Sequence, residues 1–244
     1  MTRISSRQNA WFKRVRDALR QHSDEIVIEG PKAVADAIAA GWKPIAVIGA
    51  DENPTVTHRF SRELFSAISD TKTSQGVIGL FERPRATAEE IFNKRHTIAV
   101  ALDGVQDPGN VGTIVRLAAA FDAAGVILLP ECADAFSPKA IRASAGAILS
   151  VPVVPMSYDE LRRAAVQHRF QVVAAEGRAA AHEPPPREAV IVFGSEGSGV
   201  SAAVLTFVKP ISIVTSGRVE SLNVAAAAAI LLWRSFTTRS STSS

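Results

Sequence analysis

Residues 97–121 read TIAVALDGVQDPGNVGTIVRLAAAF. The first six form an apolar run of strand length with no polar alternation, as expected of a strand buried on both faces. A loop rich in glycine and proline follows, from Asp103 to Gly112. The segment from Val111 to Phe121 then changes period. At 100° per residue Val111, Ile114, Val115, Leu117, Ala118 and Phe121 share one face, which predicts a helix. Asn110 has the residue type of a helix N-cap. Arg116 falls almost opposite the apolar face, the ordinary place for a solvated arginine.

The same alternation continues downstream. Thr97–Leu102, Gly125–Leu129, Val151–Val154, Gln171–Ala175, Val190–Phe193 and Ile211–Val214 read as strands, with helical stretches between most of them. Strands alternating with helices predict an α/β fold whose parallel sheet is covered on both sides. A second glycine loop, Gly194-Ser195-Glu196-Gly197-Ser198-Gly199, follows one of these strands. Its glycines permit close approach of a ligand to the backbone, and a plain tight turn explains them equally well. A third loop carries Ile213, Gly217 and Ser221-Leu222-Asn223 into the five alanines Ala225–Ala229 and on to Trp233. A helix apolar on all sides belongs in a core. The polar Ser-Leu-Asn at its mouth needs partners, which a ligand or a side-chain network would supply.

Upstream, residues 1–82 read as a smaller α/β unit. Ile26–Ile28, Ile45–Ile48 and Val77–Phe81 look like strands, and Pro31–Ala40 and Phe60–Ile68 look like helices. Residues 83–96 are charged, contain Pro84 and read as a linker with a short helix at Ala88–Asn93. The 97–236 stretch then forms the main domain, and the Ser/Thr-rich 237–244 a disordered tail. Near the start, Arg3, Arg7, Lys13, Arg14, Arg16 and Arg20 face the single acid Asp17, with Trp11 and Phe12 among them. Such a segment suits a phosphate backbone. Helical spacing of Trp11, Val15 and Leu19 predicts that its apolar side meets the core.

Composition narrows the classes. A hydrophobic share of 47% supports a real core, and a pI near 9.3 is compatible with an anionic partner. Cys132 is the only cysteine, so no intrachain disulfide forms, as in a reducing cytoplasm. No apolar run is long enough to span a membrane. The histidines are scattered, none at metal-ligand spacing with Cys132 or with one another. The glycine loops lack the GxGxxG order of a dinucleotide site, and no acid follows at the expected distance, which counts against a nucleotide-dependent oxidoreductase.

Three texts in order, DPGNVGTIVRLAAAFDAAGV (107–126), VFGSEGSGVS (192–201) and ISIVTSGRVESLNVAAAAAILL (211–232), together with Ser137–Gly146, resemble the SpoU (TrmH-like) family of RNA 2′-O-ribose methyltransferases in the SPOUT class. The resemblance covers about Ile98 to Trp233. More loosely, Glu29-Gly30 and Gln75-Gly76-Val77 resemble the ribosomal-protein-like RNA-binding domain that many members carry. It implies a parallel-sheet domain with a C-terminal trefoil knot, preceded by a small α/β RNA-binding domain, and a homodimer. It implies S-adenosyl-L-methionine as methyl donor, held near Gly194, Ile213 and Leu222, and a polar catalytic set of Asn110, Arg116, Glu196, Ser221 and Asn223, with no metal. The implied partner is structured RNA, ribosomal RNA foremost, with Arg3, Arg7, Lys13 and Arg14 as candidate RNA contacts. A transfer-RNA enzyme, or an RNA-binding protein without catalysis on the same fold, are the alternatives. Two positions depart from the family's pattern: Val214 stands where many members have proline, and Ser74 where many have histidine.

Overall fold

The computed structural model describes residues 3–20, 22–50, 56–69, 75–176 and 185–240. Ser74 and residues 241–244 of the expected tail lie outside them. The chain divides into two compact units, Met1–Pro84 with Phe136–Arg142, and Arg85–Ala135 with Ala143–Ser244.

In the first unit the elements are β1 (Arg3–Ile4), α1 (Ala10–Ala18), β2 (Glu25–Glu29), α2 (Pro31–Ala39), β3 (Pro44–Gly49), β4 (His58–Phe60), α3 (Arg62–Ser66) and β5 (Val77–Glu82). The strands form one mixed sheet in the order β1-β4-β3-β5-β2, antiparallel only where β5 meets β3 and β2. Two expectations shift here. The helix expected from Phe60 starts only after Ser61, whose hydroxyl accepts from Leu64 N at 3.3 Å, and Phe60 is fully buried in a strand paired with Ile4. In α1 the buried residues are Phe12, Val15 and Ala18, with Trp11 and Leu19 only partly covered. Trp11 instead meets the His58 ring at 4.1 Å and lies under the Arg14 guanidinium. The buried stripe is thus turned by one position from the one its spacing suggested.

The second unit begins with α4 (Ala88–Phe92), inside the stretch read as a linker. Glu90 caps it by accepting from Thr87 N at 2.9 Å, and Ile91 and Phe92 are completely buried. The short helix expected within this stretch is thus present, and its apolar side belongs to the core of the second unit. Then come β6 (Ile98–Asp103), α5 (Pro108–Ala120), β7 (Val126–Leu128), α6 (Pro138–Ala143, whose first turns belong to the first unit), β8 (Val153–Pro155), α7 (Tyr158–His168), β9 (Gln171–Ala175), β10 (Ala189–Gly194), α8 (Ala202–Leu205), β11 (Lys209–Ile211) and α9 (Val224–Ser240).

All six strands of this unit pair in parallel, in the order β11-β9-β10-β6-β7-β8. Ala99 and Ala101 of β6 share a core with Ile91, Phe92, Leu161, Ala165 and Val204, which places α4, α7 and α8 on one side. On the other, α5 packs on β6 and α9 packs on both α5 and β10. The last strand is Lys209–Ile211 rather than Ile211–Val214. As the edge strand it tolerates Pro210, which has no N–H to donate. The chain leaves the sheet after Ile211, freeing residues 212–223 for other work. Helix α9 runs on to Ser240, past the point where a disordered tail was expected. Arg239 anchors it by donating to Phe121 O at 2.9 Å. Among the described residues no helix is long and apolar enough to cross a membrane.

Phe92→Ala should cost about 3–5 kcal/mol in denaturant unfolding, the loss typical of a truncated core aromatic. A change under about 0.5 kcal/mol would mark 83–96 as a mere tether after all.

Candidate active site

In an open α/β sheet, ligands bind beyond the carboxyl ends of the strands, at the point where the chain changes winding direction. Here that point lies between β6, whose chain proceeds to β7, and β10, whose chain proceeds toward β11 on the far side. All three glycine-bearing loops emerge at these ends.

The first loop holds a correction. Asp107, not Asn110, caps α5: its side chain accepts from Gly109 N at 2.9 Å, and Pro108 takes the first helical position. Asn110 is therefore inside the first turn, with its carboxamide free of capping duty. Its Nδ2 donates to Glu196 Oε1 in the second loop. Its Oδ1 accepts, in a long bond of 3.4 Å, from Asn223 Nδ2 in the third loop. Asn223 in turn caps α9, its Oδ1 accepting from Ala225 N at 2.9 Å and Ala226 N at 3.3 Å. One carboxamide thus ties the mouths of two helices and the tip of a turn.

The second loop folds back on itself. Ser195 and Gly199 exchange both backbone hydrogen bonds, at 3.1 and 3.0 Å, and the Ser195 and Ser198 hydroxyls lie 2.8 Å apart. A Cβ on Gly194 would fall 2.0 Å from the backbone carbon of Gly199, so only glycine fits there. The lobe leaves Glu196 exposed at its tip, beside Asn110.

Between this lobe and residues 211–222 opens a cavity of about 640 Å³. Gly194, Ile213 and Leu222, expected at a cofactor, all line it, as do Glu196 and Ser221. Asn110 and Asn223 reach it through the hydrogen bonds above. Its floor is apolar, with Phe193, Ile211 and Leu231. Its charged groups are Glu176, Glu196 and Glu220, and no lysine, arginine or histidine is among the described lining residues. The cavity therefore favours a ligand with an apolar body and positive charge, and repels a pyrophosphate.

Arg116 does not line the cavity. It stands on the exposed face of α5, and no hydrogen bond or ion pair holds it among the described residues. Arg3, Arg7 and Lys13 are likewise exposed, whereas Arg14 is engaged by both carboxylate oxygens of Glu25, at 3.0 Å from Nε. Sequence reasoning missed Glu176 and Asp103. Each stands at a strand's carboxyl end, the signal that would have found it. Asp103 is buried, accepting from Tyr158 OH at 3.0 Å and Ser201 N at 2.7 Å. Burial pushes the Tyr158 phenol and the Cys132 thiol above their ordinary values, so neither ionises readily.

The model of the SpoU rRNA Methylase family matches residues 97–233, more than half of the chain. The 23S rRNA (guanosine(2553)-2′-O)-methyltransferase RlmP of Bacillus subtilis (strain 168) is 31% identical, over 96% of this chain and 98% of its own. The 23S rRNA (uridine(2479)-2′-O)-methyltransferase of Streptomyces viridochromogenes is 27% identical, over 95% and 90%. Among solved structures, an AdoMet-bound rRNA methyltransferase from Sinorhizobium meliloti superposes with a TM-score of 0.87 at 26% identity, covering 97% of this chain and 98% of that one.

Two neighbouring glycines give contrasting expectations. Gly194→Ala forces the backbone of Gly199 to move and should lower the unfolding midpoint. Gly197→Ala meets nothing within 4 Å and should unfold like the parent. Equal midpoints for the two variants would contradict the close approach seen at Gly194.

Proposed function

This chain belongs to the SpoU rRNA Methylase family, and on that footing we propose that it transfers the methyl group of S-adenosyl-L-methionine to a ribose 2′-hydroxyl of structured RNA, ribosomal RNA foremost. The observation that carries the reading is a cavity whose charged groups, among the described residues, are all acidic, closed on one side by the Glu196–Asn110–Asn223 chain. The donor is a net cation with an apolar adenine. The cavity's carboxylates and its floor of Phe193, Ile211 and Leu231 suit both parts, and Gly194 lets the backbone close on the ligand. When bound, S-adenosyl-L-methionine supplies a methyl group activated by a sulfonium leaving group. The protein's share is alignment, which is worth up to about 7–11 kcal/mol of barrier when geometry is near-attack.

Gly194, Ile213 and Leu222 hold the donor through the backbone around them. Asn110 and Asn223 keep the loops in register, with Ser221 at the rim. Residues 212–223, released from the sheet, are where we read the trefoil knot that the family resemblance implies. Arg116 is the group best placed for RNA, being exposed and unengaged. A guanidinium stays protonated at any physiological pH, so its contribution is to donate hydrogen bonds and stabilise charge developing on the 2′-oxygen or a neighbouring phosphate. Arg3, Arg7 and Lys13 are free to contact the RNA backbone. Arg14 is not until Glu25 releases it.

We read the active form as a homodimer working in the cytoplasm. Trp233 and Phe236 on α9 are large apolar side chains left in solvent, at 55% and 37% exposure, and a second copy would cover them. The relatives methylate guanosine in one case and uridine in another, by their names, so family membership does not choose the base.

Calorimetry should detect S-adenosyl-L-methionine binding, and 2′-O-methyl mapping of ribosomal RNA should show a site lost with this protein. Arg116→Ala should keep the donor Kd within about twofold and lower turnover about a hundredfold, as removal of a stabilising donor does. Turnover within a few-fold of the parent would take Arg116 out of the chemistry.

A further inference from the structure

On the other side of the 195–199 lobe lies a second cavity, of about 520 Å³, which the donor does not need. The lobe lines both cavities, so the two share its exposed tip at Glu196. The second is walled by the loops leaving β6 and β7 and by the start of α7. It has room for a nucleoside. The inference drawn from it rests on the methyltransferase reading and asks what that reaction's acceptor looks like.

We propose that this second cavity receives the base of the RNA nucleotide being methylated, and that Glu131 and Gln106 select guanine there. The chemistry of the walls carries the assignment. Gln106 and Glu131 are exposed at the rim, and among the described residues neither side chain has a hydrogen-bond partner. Glu131 sits in the left-handed backbone region, at φ 64°, in the turn that follows β7. The Gly104 amide donates to the carbonyl of the preceding Pro130 at 3.2 Å, joining the two loops.

A carboxylate only accepts hydrogen bonds. The base it recognises must present donors on its edge. Guanine offers two adjacent ones, N1–H and the N2 amino group, to a single carboxylate. Its O6 accepts from a carboxamide such as that of Gln106. Uracil presents one N–H flanked by two carbonyl oxygens, which a carboxylate repels. An unstacked base also needs an aromatic face, the usual support in single-stranded RNA recognition. Tyr158, the only tyrosine of the chain, lines this cavity. Its hydroxyl donates to Asp103 at 3.0 Å, and Asp103 also accepts from Ser201 N at 2.7 Å, which restrains the ring. The buried carboxylate, at 3% exposure and with no cation beside it among the described residues, has a use under this reading. It sets a stacking platform and ties it to Ser201, just past the glycine lobe.

The test is an NMR titration of the full ¹⁵N-labelled chain saturated with S-adenosylhomocysteine. Guanosine, adenosine, cytidine and uridine 5′-monophosphates serve as probes. Guanosine monophosphate should shift the amides of Gly104, Gln106, Glu131 and Ser201, and uridine monophosphate should leave them in place. Glu131→Gln should weaken guanosine monophosphate about tenfold or more, the discrimination typical of a lost bidentate base contact. Gln106→Ala should weaken it less. Shifts at Gly194 and Leu222 on adding S-adenosylhomocysteine report the donor cavity separately. If those appear and the second cavity stays silent, or answers all four nucleotides alike, or ignores Glu131→Gln, the base assignment is wrong while the methyltransferase reading stands. If S-adenosylhomocysteine itself moves nothing, both fall.

Discussion

Asn110 holds two neighbours at once, donating to Glu196 and accepting from Asn223, and the arrangement of the three loops depends on it. Each loop by itself has reason to move. One is a glycine lobe with an exposed tip, one is a helix entrance, and one is the stretch that leaves an edge strand. The carboxamide is the group for this task because it offers donors and acceptors on a single short stem. A carboxylate at the same position would face Glu196 with like charge, and a hydrophobic residue would leave both partners unpaired. The arrangement is possible only because Asp107 and Pro108 start the helix three residues earlier than its apolar face does. Capping is thereby done by Asp107, and the Asn110 carboxamide is left to join the loops.

Charge separates the two functions of the site. The cavity on one side of the lobe carries Glu176, Glu196 and Glu220, while Arg116 and the exposed cations of the first unit lie on surfaces. A cationic donor and an anionic polymer would compete for a single electrostatic environment. Under the proposed function the donor meets the carboxylates and the polymer meets the exposed cations. The same separation disfavours dinucleotides, whose pyrophosphate would face carboxylates in place of the amide-rich helix mouth such ligands use.

Much of this was legible in the residues. The runs at 97–102, 171–175 and 190–193 announced buried parallel strands, while the glycines at 194–199 left a ligand's close approach and a plain tight turn equally open. Legibility failed where tertiary contacts outrank local pattern. Phe60 lies in a strand because its partner is Ile4, a residue far away in sequence. The 83–96 stretch looked like a linker because its charges outnumber its apolar residues, yet Ile91 and Phe92 within it are completely buried. Asn110 looked like a cap because residue type cannot say which of two capping residues three positions apart the helix will use. Glu176 was invisible until the sheet showed that it ends a strand beside the lobe. The remaining site residues entered through family resemblance; the structure joins Glu196 and Asn223 through Asn110 and leaves Arg116 apart from them.

The order of the parallel sheet has a consequence for how the chain is made. The central pairing, β6 with β10, joins Ile98 to Ala189, and β11 and α9 come later still. During synthesis the apolar β6 emerges long before its neighbour on one side exists, with only β7 available on the other. Non-local parallel pairing of this kind is slow and leaves unpaired edges exposed while it waits. The nascent second unit thus keeps an apolar strand edge unpaired until its later strands clear the ribosome, the very particle whose RNA the finished protein is read to modify.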